Sequence, residues 1–221
     1  MIYWKTVNDL LRETLLLLMR SKELDEFPLV GGTALSLQLG HRMSVDIDLF
    51  TDAEYGSIDF KSIESFLEAN FSNVDKGFGD VIGMGKSYLV GSDVNDTIKL
   101  DLYYTTDPFI EPPLIIEEIR MATLNEIIAM KVDVIQRTGR KKDFWDLYEV
   151  LPKYSIKDMI ALHKSRYKYS HDEVLIRGNF VNFSEADDDF EPICLRGNYW
   201  EFIKEDIINA IEKEYKTMRK N

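Results

Sequence analysis

The residues best suited to chemistry lie between Gly31 and Phe50. Gly31-Gly32-Thr33 follows a short apolar run, Phe27–Val30, that suits a buried strand. It leads into Thr33–Leu39, which reads as a short helix closed by Gly40. A glycine turn at a helix start lets backbone N–H groups approach a phosphate, and the helix dipole favours negative charge there. Thr33 adds a hydroxyl. Further on, Asp46 and Asp48 alternate with Val45, Ile47 and Leu49. That is the period-two pattern of a strand, so the two carboxylates share a face. Carboxylates held this close repel unless a cation sits between them. Mg²⁺ suits such a site, because it takes one or two carboxylates and completes its shell with phosphates and water; Mn²⁺ accepts the same donors. Taken alone, an Asp-x-Asp is equally the solvent face of an amphipathic strand. Its coupling to the glycine turn favours the metal.

A second group runs from Ala129 to Tyr148. Lys131 falls on an otherwise apolar helix with Ile127, Ile128, Val134 and Ile135, so it must snorkel or find a partner. Asp143 and Asp146 are three apart on the next helix and share a face. Two readings stand side by side. One is surface ion pairing. The other aims Lys131 and Arg137 at a triphosphate, with the carboxylates positioning them or acting as a base.

The elements that must position these groups follow from pattern. Thr6–Leu24 reads as a helix, with Leu10, Leu11, Leu15, Leu18 and Met19 at helical spacing. Val45–Phe50 is the strand of the paired aspartates, and Ser57–Asn70 an amphipathic helix. Strands are expected around Phe71–Val74, Val81–Ile82, Ser87–Val90 and Ile98–Tyr104, between Gly, Asp and Asn turn signals. Pro108, Pro112 and Pro113 mark a break. Beyond them helices are expected at Thr123–Gly139, opened by the capping box Thr123-Leu-Asn-Glu126, then at Lys142–Leu151, Ser155–Tyr167 and Tyr199–Met218. The expected fold is α+β. Residues 1–110 form a domain of mixed sheet and helices, and residues 111–221 a mainly helical domain that completes the cleft.

Composition bounds the class. The chain has 221 residues, 45% hydrophobic and 30% charged, with a formal charge of −12. That suits a soluble globular protein of one large or two small domains. The single cysteine, Cys194, excludes an internal disulfide and a four-cysteine zinc site. The longest apolar run, Leu15–Met19, is five residues, against roughly 20 for a membrane span. The expected location is therefore the cytoplasm, with no membrane partner. The acidic total argues against wrapping nucleic acid. The charge is uneven, however. From Met130 to Tyr169 there are ten Lys plus Arg and five Asp plus Glu, a local +5, which leaves −17 for the rest. One basic segment in an acidic protein marks a place for a polyanion.

The stretch from Gly31 to Phe50 resembles the first motif of the polymerase-β-like nucleotidyltransferase superfamily, a Gly-Gly or Gly-Ser turn, a helix and an Asp-x-Asp strand. That superfamily usually supplies a third carboxylate from a later strand. Asp101 in Ile98-Lys-Leu-Asp101-Leu-Tyr-Tyr104 stands in such a place and would complete a two-metal site. The other reading of Asp101 is an exposed strand residue. The segment from Met130-Lys131 through Arg137 and Lys142-Asp143 to Asp146-Leu-Tyr148 is similar to a signature of the AbiEii/AbiGii toxin family. So are His41-Arg42-x-Ser44-x-Asp46-x-Asp48-Leu-Phe50 and the ending Tyr199-Trp200-Glu201. Lys142 stands where that family more often has Arg, which keeps the charge but loses bidentate bonding. The resemblance covers most of the chain. It implies a toxin of a toxin–antitoxin or abortive-infection system that moves a nucleotide from a nucleoside triphosphate to an acceptor, with RNA such as the tRNA 3′ end in some branches. A cognate antitoxin is then a partner. By the same resemblance Asp46, Asp48 and Asp101 bind metal. Gly31, Gly32, Thr33, Lys131, Arg137 and Asp146 serve the nucleotide, and Asp143 is the candidate base. Arg42 holds Asp46 or Asp48, contacts substrate, or forms a structural ion pair.

Other patterns are set aside. Gly83-Met-Gly85-Lys86-Ser87 lacks the first P-loop glycine, since that position is Asp80, and precedes a strand-like run where a P-loop needs a helix. His41, His163 and His171 share no zinc-ligand spacing, and Cys194 reads as a small apolar residue. Two other function classes stay open. One is a non-catalytic nucleotide-binding or interaction module of the same fold. The other is a kinase-like phosphotransferase.

Overall fold

A computed structural model of the protein describes residues 1–77 and 83–218. The strand expected at Val81–Ile82 lies outside the described residues. The chain forms two compact units. The first comprises Met1–Gly40 and Ser44–Thr123, the second His41–Met43 and Leu124–Asn221.

The first unit is built on a four-stranded sheet of β1 (Asp46–Thr51), β2 (Asn73–Asp75), β3 (Gly85–Asp93) and β4 (Asp96–Tyr104), in the order β1-β4-β3-β2. β1 runs parallel to β4, while β4 and β3, and β3 and β2, are antiparallel. β3 and β4 form a tight hairpin in which Asp93 pairs with Asp96 and its carboxylate accepts the Asn95 N–H at 2.7 Å. A bulge near Gly91 needs a glycine, because a Cβ there would lie 1.9 Å from the Asp96 carbonyl oxygen. One face of the sheet is apolar. Ile47 and Leu49 of β1 and Ile98, Leu100 and Leu102 of β4 are buried with Leu11, Leu15 and Leu18 of α1 (Asp9–Arg20). Helix α1 packs on β1 and β4. It starts where the Asn8 side chain accepts the Leu11 N–H at 2.8 Å. α2 (Gly31–Leu39) leads into β1, and α3 (Phe60–Asn70) packs on β2.

The apolar run Phe27–Val30 is extended, as expected, but it is a short bridge. Val30 donates to the Asp48 carbonyl and Phe50 to that of Pro28, while Leu29 exchanges bonds with Arg120 and Ala122. This run therefore ties β1 to a hairpin of β5 (Leu114–Ile116) and β6 (Ile119–Met121). That hairpin is a strand pair, not foreseen from pattern, within the part expected to be mainly helical. The first compact unit runs on through this hairpin to Thr123.

The second unit is helical. α4 (Leu124–Gln136) packs against α5 (Lys141–Val150), α6 (Ile156–Arg166) and α7 (Glu173–Asn179). α8 (Ser184–Asp187) and α9 (Trp200–Met218) pack on α5. Four aromatics hold this side together. Trp145 and Trp200 stack at 6.4 Å, and Phe144 meets Phe183 at 4.9 Å. Segment His41–Met43 joins the same unit through a bridge of Arg42 with Cys194.

The turn of the β5–β6 hairpin carries Glu117 and Glu118, both at positive φ (50° and 69°). A side chain in that region costs energy that glycine avoids. Glu117 repays it by accepting from the Ile2 N–H and the Trp4 indole, whereas Glu118 pairs, among the described residues, with the exposed Arg20 alone. Glu118→Gly is expected to raise unfolding stability by up to about 1 kcal/mol, read as a higher urea midpoint.

Candidate functional site

The polar face of the sheet gathers the first group of residues. β1 and β4 run parallel with Asp46 opposite Lys99, Asp48 opposite Asp101 and Phe50 opposite Tyr103. Neighbouring strands lie about 4.8 Å apart, so three carboxylates and one ammonium crowd a small area. Lys99 Nζ donates to Asp101 Oδ2 at 2.5 Å. Burial alone would lower the Lys99 pKa. The hydrogen bond to Asp101 and the charges of Asp101, Asp46 and Asp48 raise it instead. The second oxygen of Asp101, Oδ1, is buried with no hydrogen-bond partner among the described residues.

Helix α2 begins beside this face. Gly31 has φ +68°, and a Cβ on it would lie 2.5 Å from Asp48 Oδ2. The bare glycine is what lets the turn pass against that carboxylate. Val30, the residue before the helix, gives the first turn no side-chain cap. The Thr33 hydroxyl points inward. It donates to the Asp46 carbonyl and meets the Ser44 hydroxyl at 2.7 Å, and Thr33 is buried. As placed, Thr33 fixes α2 to the start of β1 rather than presenting its hydroxyl to a phosphate.

The donor set of Asp46, Asp48 and Asp101 fits a hard divalent cation, with all-oxygen ligands and a buried carboxylate oxygen lacking a partner. As the side chains stand, no three Asp, Glu, His or Cys groups are gathered around a common metal position among the described residues. Asp101 is turned to Lys99.

The second group lies in the helical unit. Asp146 is fully buried and is the shared anion of three cationic or protonatable groups. Arg42 grips it with two bonds, Nε to Oδ1 at 2.7 Å and Nη2 to Oδ2 at 2.8 Å. His41 Nε2 lies 2.8 Å from Oδ1, and Lys131 Nζ 2.7 Å from Oδ2. Burial would raise the Asp146 pKa, but Arg42, Lys131 and His41 hold it well below the usual carboxylate range. Lys131 also meets Asp143 Oδ1 at 2.6 Å. Burial opposes its charge, and Asp143 and Asp146 outweigh that and raise its pKa. Asp143 Oδ2 accepts the Arg140 N–H at 3.1 Å, which caps α5. Lys142 is half-buried. Its pKa is lowered by that burial and by the charges of Arg140, Lys131 and Arg42.

These contacts sort the expected residues. Lys131, Asp143 and Asp146 come together, and the ion-pair reading describes their contacts. Both oxygens of Asp143 are engaged, so in this arrangement it orients Lys131. Asp146 is too deep to touch a nucleotide as placed. Arg137 is exposed, one residue past the end of α4, and paired with Asp133 of that helix. Arg42 takes the structural ion-pair option, with Asp146 as its partner. The sequence pattern placed Lys99 on one face with Asp101 but gave it no role. It also missed that His163 and His171 meet, Nδ1 to Nδ1 at 2.8 Å. Residues Gly85–Ser87 begin β3, in keeping with a strand in place of a P-loop.

Comparison with known proteins adds the following. A family model described as nucleotidyl transferase AbiEii toxin, type IV TA system, matches residues 15–221. An uncharacterized protein of Aquifex aeolicus is 30% identical over 199 residues, spanning 86% of this chain and 88% of that one. Among solved structures, a putative nucleotidyltransferase from Helicobacter pylori superposes with TM-score 0.59 at 18% identity, covering 95% of this chain and 93% of that chain. MenT4, a nucleotidyltransferase toxin from Mycobacterium tuberculosis, gives 0.57 at 15% identity, covering 91% and 82%. The two structures share the fold with this chain.

The buried network yields a stability prediction. Asp146→Ala leaves Arg42 and Lys131 without their shared anion and is expected to cost about 3–5 kcal/mol in urea unfolding. The pH dependence follows from the depressed carboxylate pKa. The ionised group's contribution is complete above its unfolded pKa, near 4, and is lost as pH falls through the depressed folded value. The stability gap between wild type and Asp146→Asn should therefore shrink on acidification below about pH 4.

Proposed function

The chain belongs to the AbiEii nucleotidyltransferase toxin family of type IV toxin–antitoxin systems, and from there we propose a metal-dependent transferase that moves a nucleotide from a nucleoside triphosphate to an acceptor hydroxyl, with RNA such as a tRNA 3′ end as acceptor. One observation carries this reading. An uncapped helix N-terminus abuts a sheet face bearing three carboxylates, with Gly31 pressed against Asp48. The first turn of α2, at Gly31 and Gly32, offers N–H donors and a favourable dipole to a phosphate. Thr33 holds that turn in place through Ser44 and Asp46. Asp46, Asp48 and Asp101 would hold Mg²⁺ or Mn²⁺. Such an ion, when bound, polarises phosphoryl oxygens and offsets charge at the attacking and leaving oxygens.

The chain's own contribution is positioning and fixed charge, as in phosphoryl transfer generally. In this reading Lys131 is the cation assigned to phosphate. Asp143 and Asp146 fix its direction, and Arg42 and His41 fix Asp146. Arg137 is a peripheral cation of the same segment. A toxin–antitoxin family implies a cognate antitoxin as partner. Among the described residues no helix is long and apolar enough to cross a membrane.

The test uses labelled triphosphates and total RNA with Mg²⁺. Transfer of an α-phosphate label supports this reading. Transfer of a γ-label indicates a kinase-like activity, and transfer of neither favours a binding module. Asp48→Asn is expected to lower α-label transfer by about 100-fold or more with an unchanged melting curve; full transfer in that variant contradicts the assignment. Lys131→Ala is expected to lower transfer and raise the apparent KM for triphosphate, and unaltered kinetics would leave Lys131 a purely structural ion-pair partner.

A further inference from the structure

Lys99 stands opposite Asp46 in the register of β1 and β4, two residues before Asp101 and on the same face. Its ammonium is 2.5 Å from Asp101 Oδ2 and sits in the combined field of Asp101, Asp46 and Asp48. The side chain is 47% exposed, while that of Asp101 is 15% exposed. The lysine is the more exposed partner, and the carboxylate it holds sits on β4, an inner strand of the sheet. The neutralisation it provides is partial. One positive charge faces three negative ones, its hydrogen bond reaches a single oxygen, and Asp101 Oδ1 stays buried without a hydrogen-bond partner among the described residues. A divalent ion offsets twice the charge and is not limited to the direction of one N–H bond.

Resting on the metal reading of this face, we propose that Lys99 is a counter-ion of Asp101 that competes with the divalent cation for it, and so makes metal binding depend on the nucleotide. The physical reason is charge balance. A metal entering alone must push an ammonium away from a carboxylate. A metal entering with a triphosphate brings anionic oxygens to which the displaced ammonium can turn. Lys99 acts here as a positioning residue that sets when the carboxylates become available.

The experiment is direct Mn²⁺ binding, followed by electron paramagnetic resonance of the free ion. It is run on wild type, Lys99→Met and Lys99→Arg, each with and without a non-hydrolysable triphosphate analogue. Lys99→Met keeps the apolar stem and removes the charge. It is expected to bind Mn²⁺ about tenfold more tightly than wild type without nucleotide, and to gain less from the analogue. Lys99→Arg keeps a cation beside Asp101 and is expected to resemble wild type. Melting curves verify that both variants are folded, and Lys99→Gln serves in place of Lys99→Met if that variant is not. Equal or weaker Mn²⁺ binding by the uncharged variant overturns the proposal, as does Lys99→Arg behaving like Lys99→Met. Adding Asp48→Asn separates the two levels of the account. If it abolishes Mn²⁺ binding while removal of the Lys99 charge has no effect, only the role of Lys99 fails. If binding survives Asp48→Asn in every background, the metal reading of the face fails and the proposal falls with it.

Discussion

Repulsion among like charges on one sheet face organises the first unit. The parallel register of β1 and β4 brings Asp48 beside Asp101 and Asp46 beside Lys99. Folding sequences do not ordinarily stack three carboxylates at strand spacing, because each disfavours ionisation of the others. Here the arrangement is anchored from behind. Ile47, Leu49, Leu100 and Leu102 are buried on the opposite face of the same two strands. A one-residue slip would turn the carboxylates into the core and the leucines outward. The apolar face therefore enforces the crowding of the polar one, and a cation is the natural complement.

The helical unit answers the same problem differently. Asp143 and Asp146 are buried there and matched by protein cations. Asp146 takes a bidentate Arg42, Lys131 and His41, and Asp143 takes Lys131 and the start of α5. Such a network adds little net stability compared with a well-packed apolar core, but removing one member is costly. What it secures is direction. The Lys131 ammonium is held by two carboxylates, and each carboxylate is held from its other side. A lysine so fixed loses little freedom when it meets an anion.

Much of this was legible in the sequence where periodicity and local chemistry agree. The alternation from Asp46 to Phe50 and from Ile98 to Tyr104 gave two strands and the faces of their aspartates, and the helical spacing of Leu11, Leu15 and Leu18 gave the core helix. What was not legible depended on distant partners or absent signals. Arg42 and Asp146 are 104 residues apart, and nothing local says that they meet. The direction of the Thr33 hydroxyl is set by Ser44 and a carbonyl on the next strand. The β5–β6 hairpin turns on Glu117-Glu118, where hairpin chemistry would favour Asn-Gly. The short helices α7 and α8 lack a long apolar period. Lys99 was visible as the neighbour of Asp101, but its weight comes from the strand beside it.

The charge of the chain also takes on a different meaning. An acidic total argues against a broad nucleic-acid surface, yet three of those acidic residues belong to a face that calls for a cation. The central claim is that Asp46, Asp48 and Asp101 are one divalent-cation site. Anomalous diffraction from crystals grown with Mn²⁺ and a non-hydrolysable triphosphate tests it most directly. A manganese peak is expected within bonding distance of Asp46 and Asp48, with Asp101 turned from Lys99 toward the same position. Manganese held elsewhere on the protein, with Asp101 still paired to Lys99, would contradict it.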